Sequence, residues 1–246
     1  MIVTPIKTHI VRPGEQTLLS FLDLNLTDLP ECSILALSAK IISLCENRVA
    51  DLSRDKESLI QEEADYYLPK QFRRFGASGT VIHHAFIGAA GIDESNACGQ
   101  YVLLPQNPQL AADTVYQYLR KRFARKQIGV LITDSHSTPM RRGASGIALA
   151  YRGFVGLRDY RGKPDLFGRK LVMEQANIPD ALACAAVLTM GEGNEQTPLA
   201  LFEDIPHIAF NENAPTPEEL SQFFVNLEND IFSPLIDFQH LKKTKY

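Results

Sequence analysis

The stretch VLITDSHSTPMRRG, residues 130–143, runs from four strand-forming residues into an acid, a serine, a histidine and a basic, turn-forming tail. With Ile128 and Gly129 ahead of it, it reads as a buried β-strand that delivers Asp134 to its end. Directly before it lies DTVYQYLRKRFARK, in which Val115, Leu119 and Phe123 recur every four residues, the pattern of an amphipathic helix over residues 113–126. A helix feeding a buried strand implies a mixed α and β architecture.

Working outward, SILALSAKIISLCENRVADL reads as a strand, Ile34 to Leu37, breaking at Ser38-Ala39-Lys40 into a helix or turn. VIHHAFIGAAGIDESN reads as a strand entering a glycine-rich loop, followed by QYVLLP, which Pro105 terminates. NIPDALACAAVLTMGEG predicts a helix: Asn177 caps it, Pro179 suits its first turn, its alanines permit close packing, and Gly191 ends it. TPEELSQFFVNLENDIF carries a capping box, with Thr216 as cap, Pro217 in the first helical position and Glu219 three residues after the cap. Its stripe of Leu220, Phe223, Phe224 and Leu227 is expected in the core. No internal repeat, low-complexity tract or linker marks a domain boundary, so residues 1–246 are read as one unit.

Composition excludes several classes of function. At 45% hydrophobic over 246 residues the chain can bury a substantial core. With 25 basic and 29 acidic residues its formal charge is -4, so no global field draws in a polyanion, and nucleic acid is not an expected partner. The one basic cluster, Arg120 to Lys126, fits the solvated face of the amphipathic helix. Cys32, Cys45, Cys98 and Cys184 form no CxxC pair, which fits reduced thiols in the cytoplasm rather than a zinc site or disulfide scaffold. No run approaches the length of a membrane helix, and MIVTPIKTHIVRPGEQ has a proline and charges where a signal peptide needs its apolar centre.

Three acidic points follow apolar runs: Asp93-Glu94-Ser95-Asn96, Asp134-Ser135 and Glu192. Carboxylates at such places cost desolvation unless a positive charge meets them, and a hard divalent cation is one way of meeting it. Each also has a plainer reading: Asp134 as a turn cap, Asp93 as an Asx-turn residue, Glu192 as a solvated carboxylate at the unfavourable negative end of a helix. His83 and His84, as neighbours on a strand, would face opposite sides and could not share a metal. His136 suits a polar contact to substrate, or an exposed loop position. RGFVGLRDYRGKPDLFGRKL, residues 152–171, mixes Arg161, Arg169 and other bases with two aspartates and four glycines. It reads as a surface charge mixture or as a loop that grips an anionic ligand, and it matches neither the P-loop nor the GxGxxG spacing.

Taken in order, GIDESN, ITDS....P.RRG, RDYRGKPDLFGR and ACAAVLTMGEG resemble the coenzyme F420:L-glutamate ligase (γ-glutamyl ligase) family, over about residues 34–202. A C-terminal helical extension, about 216–246, has no counterpart in the resemblance. The resemblance implies an α+β fold of two interleaved lobes forming one catalytic unit, and a homodimer with the site near the subunit interface. It implies an amide ligase using magnesium or manganese and GTP or ATP. The acceptor carboxylate takes the γ-phosphoryl group to become an acyl phosphate, and the amine of L-glutamate then displaces phosphate.

Carried over position by position, the resemblance makes Asp93, Asp134, Ser135 and Glu192 metal ligands, with serine and glutamate standing where the family has threonine and glutamine. It places Lys40, Ser43, Asn96 and Gly191 at the nucleotide, with Thr8 and His9 candidates there although they stand where the family's Gly-Leu-Pro is replaced, and Asp134 and Arg141 in catalysis; His136, Arg161 and Arg169 are the substrate candidates that the residues themselves offer. The sequence departs from the family at Leu44, where a second lysine is expected at nucleotide phosphate. It departs again at Lys7-Thr8-His9, which replaces Gly-Leu-Pro ahead of the matching RPG, and at SHSTPMR, where an aromatic pair and an arginine are lost. These departures leave the acceptor open between a coenzyme F420-type and a folate-type carboxylate. They also leave open a non-catalytic protein binding nucleotide or a flavin-like ligand, and a metal-dependent phosphatase or hydrolase.

Overall fold

The computed structural model describes residues 1–74, 78–235 and 240–244. The chain opens with β1 (Ile2–Ile6) and α1 (Leu18–Asn25), capped by Thr17, whose hydroxyl accepts from the Ser20 amide. β2 (Ser33–Ser38) runs straight into α2 (Ala39–Cys45), so the strand-to-helix break falls where Ser38-Ala39-Lys40 predicts it. β3 (Val49–Asp51), α3 (Lys56–Glu63), β4 (Tyr66–Tyr67), β5 (Gly79–Ile82), β6 (Ala85–Gly88) and β7 (Gln100–Val102) follow. Then come α4 (Pro108–Phe123), β8 (Ile128–Ser137), β9 (Ala144–Arg152), β10 (Leu157–Asp159) and β11 (Gln175–Asn177). The chain continues through α5 (Ile178–Met190), β12 (Leu199–Glu203), α6 (Pro217–Phe223) and β13 (Lys242–Lys243).

This is an α+β fold. The main sheet has the order β1-β12-β2-β8-β9, and only the β2–β8 pair is parallel. That pair is buried on both faces, which explains why SILAL and IGVLIT read as continuous apolar runs. Alternate residues serve opposite faces: Leu35, Leu37 and Ile132 join the core formed with α1 and α4, while Ile34, Ala36 and Leu131 join the core formed with α5. A second sheet, β13-β4-β5-β6, is built mostly from the excursion between β2 and β8, and the chain returns to it only at its end.

Several expectations need correction. His83 and His84 do not lie on a strand. They are the two-residue turn of the β5–β6 hairpin, both with φ near the left-handed region, at 50° and 60°. His84 stacks on Phe224 with ring centroids 5.1 Å apart. α4 begins at Pro108, capped by the Asn107 side chain, and ends at Phe123, with Ala124 left-handed at φ 52°. Asp134 is not at the end of its strand: β8 continues to Ser137 because β9 keeps pairing with it after β2 has stopped at Thr133. A bulge between Ile132 and Thr133 shifts the register where this arm leaves the sheet.

Among its described residues the C-terminal part holds one α-helix of seven residues, 3-10 turns and a strand rather than one long helix. Its capping box at Thr216 and Glu219 is present, but Leu220, Phe223, Phe224 and Leu227 are only partly buried. Residues 236–239 and 245–246 of the expected extension lie outside the described residues. The segment after β12 is strapped across the molecule. The buried Arg152 guanidinium donates to the Glu212 and Asn213 carbonyls, Phe223 packs edge-on to Tyr151, and β13 pairs with β4. Two basic residues of α4 are half-buried and paired, Arg120 with Glu212 and Arg122 with Asp23, while Lys121 is exposed.

Candidate active site

Four elements deliver polar side chains to one place. Lys40 stands in the first turn of α2, directly after the parallel strand β2. Asp93 is fixed by reciprocal backbone hydrogen bonds with Val102, at 3.0 and 2.8 Å. Asp134 and Ser135 project from the β8 arm just past the bulge, and Glu192 follows α5. The end of α5 turns sharply because Gly191 takes φ 81°, a conformation that favours glycine, and a side chain there would collide with the Glu195 carboxylate.

Lys40 Nζ lies 2.6 Å from Asp93 Oδ2 and also donates to Ser95 Oγ at 3.1 Å. The Ser95 amide and hydroxyl donate to the same carboxylate at 2.7 and 2.9 Å. Burial alone would raise the Asp93 pKa, but the Lys40 ammonium and the Ser95 donors outweigh it and hold the carboxyl below its ordinary range. Asp134 goes the other way. Burial, reinforced by Asp93 and Glu192, pushes its carboxyl up to about 7 against the opposing pull of the Ser135 amide and Lys40. Among the described residues no three His, Cys, Asp or Glu side chains converge into a ready-made metal centre. Lys40 is a positive charge that meets Asp93 directly and favours the charged form of Asp134.

Two cavities meet at this cluster. The larger, about 540 Å³, is lined by Thr8 to Arg12, by Lys40, Ile41 and Leu44, by Asn96 and Cys98, and by the loop from Gly191 to Pro198. The smaller, about 290 Å³, is lined by Ser43, His136, Ser137 and the apolar wall of Ile87, Ile92, Val102 and Leu104. Lys40, Asp93, Asp134 and Ser135 line both. The loop after α5 is pinned: Asn96 Nδ2 donates to the Gly193 carbonyl at 2.8 Å, the Gly193 amide to Glu195 at 2.8 Å, and the Thr8 amide to the Gln196 carbonyl at 2.9 Å. On the other side His136 Nδ1 is 3.1 Å from the Phe86 carbonyl, which ties the β8 arm to β6.

Of the residues singled out in the sequence, Thr8, His9, Lys40, Asp93, Asn96, Asp134, Ser135, Gly191 and Glu192 share the larger cavity. Ser43 and His136 belong to the smaller one, where the Ser43 hydroxyl donates to the Ala39 carbonyl. Arg141, Arg161 and Arg169 line neither cavity within one chain. Arg141 lies on the exposed β8–β9 tip, and Arg161 clasps Asp159 on the arm between β10 and β11, as Arg169 shares that arm. The sequence reading missed Arg12, Glu195, Gln196 and Thr197 as cavity residues; the RPG motif was the available signal for the first.

The family described as F420-0:Gamma-glutamyl ligase matches residues 5–204. A coenzyme F420:L-glutamate ligase of Methanococcus maripaludis is 36% identical over 154 residues, 62% of this chain and 59% of the relative. The matched part of the chain thus spans about three-fifths of that protein's length. Proteins of the same name from Methanopyrus kandleri and Haloarcula marismortui are 30% and 28% identical, over 79% and 94% of this chain and 83% and 95% of their own lengths. With its matched region running from β1 through β12 and holding every residue of both cavities' shared wall, the chain belongs to the F420-0:gamma-glutamyl ligase family.

Proposed function

We propose that the protein is a metal- and nucleotide-dependent γ-glutamyl ligase that joins the amine of L-glutamate to the carboxylate of a coenzyme F420-type or folate-type acceptor. The observation that carries this reading is the pair of cavities sharing Lys40, Asp93, Asp134 and Ser135. GTP or ATP occupies the larger, whose size suits a small-molecule ligand, and the acceptor terminus and glutamate meet in the smaller. The acceptor carboxylate attacks the γ-phosphorus, the nucleoside diphosphate leaves, and an acyl phosphate forms. The glutamate amine then attacks the acyl carbon, the C–O bond to phosphate breaks, and the amine nitrogen loses its proton to give the amide.

Asp93, Asp134, Ser135 and Glu192 line the same cavity with oxygen atoms of the kind magnesium or manganese takes; they do not converge into a preformed centre, so a cation would have to arrive with the nucleotide's phosphates and complete its coordination with them. When bound, such a cation neutralises charge on the transferring phosphoryl group. Lys40 fixes Asp93, and the β8 arm, anchored through His136, holds Asp134 on the boundary between the two ligands. We also infer a homodimer. Leu166 and Phe167, 98% and 95% exposed on the arm between β10 and β11, leave apolar surface that a second subunit would cover. The same contact would bring Arg161 and Arg169 toward a neighbouring site.

The test is incorporation of labelled glutamate with GTP or ATP, manganese, and each acceptor in turn. The expected result is a nucleotide-dependent amide product, reduced at least about a hundredfold in Asp134→Asn. Nucleotide binding without incorporation into any acceptor would instead identify a non-catalytic binder, and phosphate release without incorporation a hydrolase.

A further inference from the structure

We propose that Arg12 is the side chain that grips the phosphate tail of the nucleotide in the larger cavity. The inference rests on the nucleotide reading above. The basic residues lining that cavity are His9, Arg12 and Lys40, and its acidic residues are Asp93, Asp134, Glu192 and Glu195. Lys40 is already held by Asp93 and Ser95. Both ring nitrogens of His9 are engaged, Nδ1 with Asn25 Oδ1 at 3.3 Å and Nε2 with Gln16 Nε2 at 2.7 Å. Since an amide nitrogen only donates, Nε2 accepts from Gln16, and with Nδ1 on Asn25 neither ring nitrogen is left for a phosphate.

Arg12 differs from both. Among the described residues its guanidinium makes no hydrogen bond and no ion pair, whereas Arg48, Arg54, Arg73, Arg120 and Arg152 all pair with carboxylates. Its backbone, in contrast, is fixed. The Arg12 amide donates to Glu15 Oε2 at 3.0 Å, the Glu15 amide donates back to the Arg12 carbonyl at 3.2 Å, and the Gly14 amide donates to the Leu44 carbonyl at 2.8 Å. A free guanidinium therefore rides on a turn docked against the end of α2, beside Leu44, which adds only apolar surface to the same wall. An acid-rich cavity repels a polyphosphate. Cations that travel with the nucleotide can neutralise the carboxylates, but the remaining phosphate oxygens need a donor, and the planar fork of arginine matches them.

Isothermal titration of the full-length protein with GTP and manganese tests this, with inorganic tripolyphosphate and guanosine as probes of the two halves of the ligand. Arg12→Gln should raise the Kd for GTP and for tripolyphosphate by about 10- to 100-fold, as loss of charge-assisted hydrogen bonds does, and leave guanosine binding unchanged. Arg12→Lys should lose less, and Leu44→Lys placed in the Arg12→Gln protein should recover most of the loss by supplying a cation on the same wall. Unchanged GTP affinity in Arg12→Gln overturns the proposal while leaving the nucleotide reading intact. So does an equal loss for guanosine, which would mark a structural role. If the unsubstituted protein binds neither GTP nor tripolyphosphate with manganese, the nucleotide reading itself fails. Should Arg12→Gln not fold, the single Leu44→Lys protein decides: it should bind tripolyphosphate more tightly, and no gain counts against the proposal.

Discussion

Asp134 holds a proton more tightly in the folded chain than in the unfolded one, because burial and two neighbouring carboxylates raise its pKa from 3.8 to about 7. Between those values the folded state keeps a proton that the unfolded state has released. In the metal-free protein the contribution of this residue to stability is therefore lost as pH rises through that window, and it levels off above about 7. Urea denaturation of the metal-free Asp134→Asn variant should show it more stable than the parent by a few kcal/mol at about pH 8, with the gap closing toward about pH 4. A gap independent of pH would mean that the carboxyl is not strained by its surroundings. The acids were legible in the sequence as residues that break apolar runs. Their opposite protonation behaviour was not, since it depends on Lys40 reaching Asp93 across 53 positions of chain.

At the level of elements, helix ends were the most readable feature, because capping is local chemistry. Asn177 accepts from the Asp180 amide, and Thr216 and Glu219 form their reciprocal box, as the residue types imply. The β5–β6 turn was hidden because its two central residues are histidines rather than the Asn-Gly pair such a turn favours. The far half of β8 was hidden because Asp134, Ser135 and His136 are polar residues whose strand conformation is imposed by pairing with β9. That pairing depends on Gly146, opposite Ser135, where α5 lies so close that an added Cβ would run into the Ala183 carbonyl. Gly146→Ala should cost about 3 kcal/mol by overpacking, read as a lower urea midpoint. Activity should fall further than the loss of folded protein explains, because the residue backs the arm that carries Asp134. Equal stability of the two proteins would show that α5 is free to shift.

For the molecule as a whole, the interleaving of the two sheets makes the site composite. Lys40, Asp93, Asp134 and Glu192 come from four separate stretches, and only the return of the chain from the β3–β7 excursion to β8 brings them together. The order of motifs pointed to the family, but the division of the site into two cavities needed the assembled fold. The proposed dimer makes a prediction at the exposed arm between β10 and β11. Replacing both Leu166 and Phe167 by aspartate should shift a dimer to a monomer in light scattering without lowering the unfolding midpoint of the subunit, and an unchanged mass would remove the arm from the interface.

The strand β13 closes one edge of the second sheet with two exposed lysines, Lys242 and Lys243. An open sheet edge invites the edge of another molecule, and here the inner neighbour would be the aromatic pair Tyr66-Tyr67. By pairing with that strand, the chain's last described residues give the sheet a charged border. Such a border repels its own copy and so guards against edge-to-edge aggregation, a property tied to the tail of the chain and separate from its chemistry.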